Sequence, residues 1–514
     1  MSGQTATSKK WLQPIDRLAL GIMVVLSLLI GLLLLSGDRT APRVRDFSWQ
    51  DKQVSARDTA FILTFSRPMH HASVEKNLQL APVLPEGKPE QSLIKGKISW
   101  AGRKMAYTLP APLPYGTSYQ LQLGQAKEQL PGRASQGKSL APFQATFRSR
   151  DRVFAYVGVE GQEQGRLVLY NLTQQKKTLL TPPDLVVMEF KPYSDGDRIL
   201  FSANDRQNEA KGLLTEQLYT VTTGLSFTSP GRRPGSAKPA GKIELVLDSK
   251  EYQNLQFDLS ADGQSIVVQR VKRSNQAEFG LWLLQPGKEP RPLETQASGE
   301  FLIAPDSASI AVLQGQGVAI LPLTSEAAAK PLDFLPKFGK VLSFSGDGAA
   351  ATMVKFNTDY TRSLFWVNNQ GVEKELLRTT GSILNCQFTP TKEKLYCLLT
   401  QLIKGEDYRE EPFIAAIDLK PNQASSKIPV QPLVVLPEQR DIQISLSPDG
   451  LALLFDQVAT KPPSASDTLK TSDGQAIATG RLWLLPIVDT ATSESPPQVQ
   501  PDELLPGFHP RWLP

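Results

Sequence analysis

The sequence predicts an all-β protein carried on one N-terminal transmembrane helix. A β-sandwich comes first, then a β-propeller, with seven blades favoured and the ring closed by the C-terminal strand. Three observations predict this. Residues 18–36 form an apolar run without a charge. Short alternating strands between Pro and Gly turns fill residues 42–148. From residue 151 one turn pattern recurs at intervals of roughly 40–68 residues, as propeller blades do.

The whole chain is consistent with this reading. At 514 residues it exceeds one ordinary core and should split into domains. With 40 Pro and 36 Gly it is rich in turn formers, which suits β structure. The net charge of +5 is small against 56 basic and 51 acidic side chains. No basic stripe with interleaved aromatics appears, so nucleic acid is not an expected partner. Three His and two Cys leave little material for a metal site, and no cofactor is expected.

Residues 1–17 read as a short cytoplasmic tail and 18–36, "LALGIMVVLSLLIGLLLLS", as the anchor. As a helix the run spans about 28 Å, the thickness of a bilayer's hydrocarbon core. A cleaved signal peptide is the alternative, but its apolar core is usually shorter and no A-x-A-like site follows. Lys9, Lys10 and Arg17 precede the run and Arg39, Arg43 and Arg45 follow it, so the charge rule does not orient it. A single anchor exporting everything after it is the economical reading. The expected location is the inner membrane of a bacterium, with the later domains periplasmic.

Residues 42–148 read as a sandwich. "TAFILTFSRPM" is a strand ended by Pro68, which cannot donate to a ladder. "KGKISWAGRKMAYTLP" is a hairpin about Ala101-Gly102. "LPYGTSYQLQLG" turns at Tyr115-Gly116 and then alternates through Tyr119, Leu121 and Leu123. "FQATFRS" closes the segment. The run Phe65-Ser66-Arg67-Pro68-Met69, then Ala72-Ser73-Val74, Ser99-Trp100, Leu113 to Tyr119 and Phe143 to Phe147, resembles the bacterial Ig-like domain of surface-layer and cell-envelope proteins. That family commonly has an acidic residue at His70 and an Asp-Gly-Asn-type turn at 129–132, and this chain departs at both. The resemblance implies an envelope setting and a spacer or adhesive module.

The repeat from 151 is "LSADGQSI" (259–266), "IAPDSASI" (303–310), "FSGDGAAA" (344–351), "FTPTKEKL" (388–395) and "LSPDGLAL" (446–453), with "YSDGDRIL" (193–200) a looser copy. Apolar residues at the two ends of each copy should face each other across a turn that Asp caps and Gly reverses. A third strand follows each copy, and a short fourth follows most. Inner strands begin near Val186, Leu255, Phe301, Val341, Leu384 and Ile442. The blade opened by "VFAYVG" (153–158) and "GRLVLYNL" (165–172) has no inner strand of its own, and "GFHPRWLP" at the chain's end should supply it. Residues 151–514 thus resemble TolB-type or WD40-like propellers, which serve many functions.

In "NCQFTPTKEKLYC" the repeat register sets Cys386 opposite Cys397, with Cβ atoms about 4.5–5.5 Å apart. A disulfide and two buried free thiols are both open at this point.

No G-x-S-x-G, P-loop or H-E-x-x-H motif occurs, and no catalytic residue is expected. His70 and His71 read as loop residues and His509 as structural. Asp195, Asp262, Asp306, Asp347 and Asp449 read as turn caps. Some propellers carry a hydrolase domain after the ring; none is expected where only Leu513-Pro514 follow Trp512. The inner strands read as mostly aliphatic, which disfavours a catalytic centre in the channel. The loops joining second to third strands are charged and long, as in 203–216, 271–280, 355–363, 403–412 and 458–480. Arg206, Lys272, Arg273, Tyr360, Arg362, Tyr408 and Arg409 are the candidate binding residues there, as Tyr and basic side chains favour interfaces. The insertion 229–242 should be a loop on the opposite face. The expected function is a non-catalytic, membrane-anchored binding or scaffold protein of the envelope, engaging a protein or a glycan. An envelope hydrolase or lyase with a site in the propeller channel is the alternative.

Overall fold

The computed structural model describes residues 14–36, 40–84, 90, 92–129, 137–207, 215–225, 238–293, 299–315, 317–323, 333–403, 405, 409–420, 429–439, 441–462, 464, 467, 469–471, 474–488 and 500–514. Pro14–Ser36 is one helix of 23 residues. Among the described residues no helix is long and apolar enough to cross a membrane. The described side chains of Pro14–Ser36, Ile15 and Leu18 to Gly31, cover only part of the uncharged run.

The sandwich has two four-stranded sheets. One is ordered Val44–Phe47, Ala60–Phe65, Lys104–Thr108, Lys97–Ala101, and the other Gln53–Val54, Phe143–Ser149, Ser118–Leu123, Leu78–Val83. Strict alternation buries one face of each: Phe61, Leu63 and Phe65 on one side, Tyr119, Leu121 and Leu123 on the other. Trp49 and Phe47 fill the centre, edge-on to Phe61 and Phe147. The Ala101-Gly102 hairpin is present, with Gly102 at φ 58°. His70 explains its own departure. It is the N-cap of the short helix His71–Asn77, its Nδ1 accepting from the Ser73 N–H at 3.3 Å, as an acidic side chain would. Of the second departure, 130–132 lie outside the described residues.

Seven further four-stranded sheets make the propeller, each running from an inner strand a outward to d. Blade 1 combines Phe508–Trp512 with Val153–Val157, Leu167–Asn171 and Lys176–Leu179, so the end of the chain closes the ring. Inner strands of blades 2 to 7 are Leu185–Pro192, Tyr252–Leu259, Phe301–Ile303, Lys340–Phe344, Ile383–Phe388 and Ile444–Leu446. The repeat register is as the turns dictate: Leu259 opposes Ile266, Ile303 Ile310, Phe344 Ala351, Phe388 Leu395 and Leu446 Leu453. The loose copy in blade 2 slips by one residue, and Pro192 opposes Ile199. Its turn starts at Tyr193, whose N–H is taken by Arg198 O.

Several stretches expected as loops are strands. The second and third strands of blades 3, 6 and 7 stay paired out to Lys272 and Asn275, Ile403 and Arg409, and Lys461 and Ala476. Polar and charged side chains occupy these ends, and an exposed two-stranded ribbon tolerates them on both faces. Most of the 229–242 insertion lies outside the described residues.

Cys386 and Cys397 are joined by a disulfide. Thr389 and Lys394 exchange hydrogen bonds beside the turn. Alternation then makes Cys386 and Cys397 a non-hydrogen-bonded pair, the kind whose side chains approach most closely. Both lie fully buried among Leu395, Leu399, Ala415 and Ile417.

Candidate functional site

Each blade turns from a to b and from c to d at one face of the ring, and from b to c and d to a at the other. The sandwich is docked on the first face. The Tyr115 N–H donates to Asp449 Oδ2 at 2.9 Å, and Arg152 lies 3.8 Å from the same oxygen. Arg150 Nη1 donates to the carbonyl of Pro514 at 2.8 Å. Asp449 caps the blade 7 turn, accepting from Ser447 Oγ and Leu451 N, and so serves two domains at once. The other turn aspartates act as expected, Asp306 for example accepting from the N–H groups of Ala308 and Ser309. The b–c and d–a face carries no such contact among the described residues.

The candidate residues sit on that open face, spread around the ring rather than gathered. Tyr408 lies outside the described residues. Three arginines brace the scaffold. Arg206 donates to the carbonyls of Pro183 and Gln164, Arg273 to Ser249 and Arg362 to Thr380 and Gly381. Lys272 pairs with Glu278 across its hairpin at 2.7 Å, and Arg409 with Glu438 at 3.1 Å. Tyr360 differs: the residue is 92% exposed. A firm turn presents it, with Asn357 N bonded to Thr361 O and Arg378 bonded to Asp359 and Thr361.

Sequence reasoning missed the apolar residues exposed alongside Tyr360 on blades 5 and 6. Phe356 is 60% exposed, and Leu384, Leu402 and Ile403 are also exposed on blades 5 and 6. Phe356 and Leu384 line a cavity of about 540 Å³ at the channel mouth together with Leu302, Leu342, Lys191, Gln256, Asn385 and Gln443. Exposed large apolar residues where strands b end were the available signal, since nothing in the repeat requires Phe at 356.

The inner strands are not mostly aliphatic, and this corrects the sequence reading. The residue just before the turn's first apolar member is Lys191, Asp258, Leu302, Ser343, Gln387, Ser445 and Arg511 in blades 2 to 7 and 1. Five of these seven reach the next blade. Lys191 pairs with Asp258 at 2.7 Å, and Asp258 accepts from Ile303 N. Gln387 bonds Ile444 O and Leu446 N, Ser445 accepts from Trp512 N, and Arg511 lies 3.4 Å from Glu189. These polar groups stitch the ring around its axis.

The closing seam is the most heavily built. Asp456 is fully buried and accepts from the N–H groups of Gln443 and His509 at 2.7 and 2.6 Å. Burial nevertheless pushes its pKa up to about 7. His509 takes a left-handed φ of 52° and lies 4.0 Å from Asp441; burial lowers its pKa. Glu216, buried between blades 2 and 3, is raised to about 7 by the same cause. Among the described residues no three His, Cys, Asp or Glu side chains gather as a metal site.

The family model of the bacterial Ig-like domain matches residues 38–148. No curated protein matches the chain. Among solved structures the chain is similar to TolB from Acinetobacter baumannii, at 11% identity over 82% of each chain with a TM-score of 0.38. It is also similar to an oligogalacturonate lyase from Vibrio parahaemolyticus, at 11% identity over 60% of this chain and 88% of that one, with a TM-score of 0.40. The blade count rests on the strand order of this chain itself.

Proposed function

We propose that this chain, a bacterial Ig-like domain set before a seven-bladed propeller, is a membrane-tethered binding or scaffold protein of the cell envelope. The uncharged run 18–36 is its tether, and the periplasm of a bacterium is its compartment. The disulfide between Cys386 and Cys397 supports that side of the membrane, since such bonds persist in oxidising compartments. One observation carries the binding reading. The face opposite the Ig-like dock exposes Phe356, Tyr360, Leu402 and Ile403, Phe356 also lining the cavity at the channel mouth, and a soluble monomer gains nothing from leaving them wet. The partner is a protein with an apolar patch, and the tied turn of Tyr360 spares the ordering of an anchor. The channel's polar groups bear on the hydrolase or lyase alternative. Lys191, Asp258, Gln387 and Asp456 each hold a neighbouring blade, which favours a structural use for them.

The test is affinity capture from membranes in mild detergent with mass spectrometry. Replacing Phe356 and Tyr360 together with Ala should leave the melting temperature within a degree or two and abolish retention of the partner. Undiminished retention would move the site off this face. Turnover of an envelope substrate that is lost on changing Asn385 and Gln443 would support the enzyme instead.

A further inference from the structure

The Ig-like domain has a second pole, opposite its propeller dock, and that pole is basic. The chain enters it from the helix: Thr40 Oγ1 accepts from Arg67, Arg43 N donates to Ser66 Oγ while Ser66 N donates to Arg43 O, and Arg103 donates to Ser66 O. Lys127 lies there too, its carbonyl accepting from His70 N. Arg43, Arg45, Arg103, Lys104 and Lys127 are all exposed, and none is in an ion pair among the described residues. Of the nearest acidic groups, Glu128 is taken by Arg67 at 3.2 Å, Glu75 on the short helix accepts from Trp100 Nε1 at 3.3 Å, and Asp46 is the exposed neighbour of Arg45, so the five basic side chains still outnumber the two exposed carboxylates.

Thr40 is four residues past Ser36, so about 14 Å at most separates this pole from the helix end. We propose that the basic pole rests on anionic phospholipid headgroups of the membrane that holds the tether. This rests on the tether proposed above. Lys and Arg within a screening length of an anionic leaflet are attracted to it, and the short link is what lets the pole reach it. The contact sets the domain upright, with the Phe356 and Tyr360 face directed away from the lipid.

The described residues hold no free cysteine, so a single label is clean. Full-length Gln129→Cys, exposed at this pole, carries a fluorophore in vesicles containing a headgroup-attached quencher. Ser274→Cys, on the far face of blade 3, is the control. The label at 129 should be quenched in phosphatidylcholine vesicles containing phosphatidylglycerol. Quenching should fall by about half or more without the anionic lipid, in about 1 M salt, or when Arg43, Arg103, Lys104 and Lys127 become Gln. The label at 274 should be unaffected throughout. Equal quenching in neutral and anionic vesicles overturns the proposal, as does none in either. Flotation of the protein with the vesicles separates the causes: a floated, unquenched protein keeps its tether and loses only the lipid contact. A protein that does not float loses both.

Discussion

Lys392 occupies the left-handed corner of the blade 6 turn, at φ 60°, where blades 3, 5 and 7 place Gly263, Gly348 and Gly450. A side chain in that conformation is strained by about 1 kcal/mol. Its ammonium is bonded to Asp347 of the preceding blade, an exposed pair worth about 0–1 kcal/mol. Lys392→Ala loses the pair and keeps the strain; Lys392→Gly loses the pair and relieves it. The Gly variant should therefore be the more stable of the two by about 1 kcal/mol in urea denaturation. Gly263→Ala should move the other way. At φ 69° its new Cβ would also stand 2.9 Å from the Tyr193 ring, and a loss of about 1–2 kcal/mol is expected. If Lys392→Ala and Lys392→Gly melt alike, backbone strain is not what separates the copies.

The closing strand Phe508–Trp512 is an element with no local partner. Among the described residues it pairs only with Val153–Val157, more than three hundred residues earlier, and Trp512 packs edge-on to Phe154 at 5.6 Å. Trp512→Ala should cost about 3–5 kcal/mol, and deleting 508–514 should lower the melting temperature of the whole ring, since it bares the inner edge of blade 1. A deletion that melts like the intact protein would show that closure adds nothing. Reducing the disulfide should act within blade 6, at about 2–3 kcal/mol for a sequence separation of 11. The closing strand and the opposition of Cys386 to Cys397 were legible in the sequence because a turn motif fixes register, and register fixes every pair along two strands; the bond itself was not, since a disulfide and two buried thiols fit that register equally. The channel was not legible for a related reason. Apolar residues in the repeat mark the faces that pack blade on blade, whereas Lys191, Asp258, Gln387 and Arg511 sit one place before them. Read singly they look like surface residues. Only the topology brings each against the next blade. The extended hairpins were missed because their charged residues suggest a loop and burial no longer alternates there, although Gln401 still pairs with Glu411 and Ile403 with Arg409.

Across the whole molecule, buried carboxyls make stability depend on pH. Asp456 and Glu216 rise to about 7 from ordinary values of 3.8 and 4.5, burial being the first cause in each. A carboxyl whose pKa is raised by folding holds its proton more tightly in the folded chain. Its contribution to stability is therefore complete below the unfolded value and is lost as pH climbs through about 7. His509 acts in the opposite sense: burial lowers its pKa, so acidification below its ordinary 6.5 works against the fold. Stability should peak on the acid side of neutrality and fall toward pH 8, each carboxyl adding a slope of up to about 1.4 kcal/mol per pH unit. Asn at 456 is an unsuitable probe, because both Asp456 oxygens accept backbone N–H groups and an amide nitrogen would meet a donor. Glu216→Gln is the cleaner change. It keeps an oxygen for the Ser202 hydroxyl and has no proton to lose. Chemical denaturation at about pH 5, 6 and 7, between the unfolded and folded values, should show a shallower decline for Glu216→Gln than for the parent, by close to one group's slope. Equal slopes would mean that Glu216 ionises alike in both states, and that water reaches the seam between blades 2 and 3 where its carboxyl lies buried.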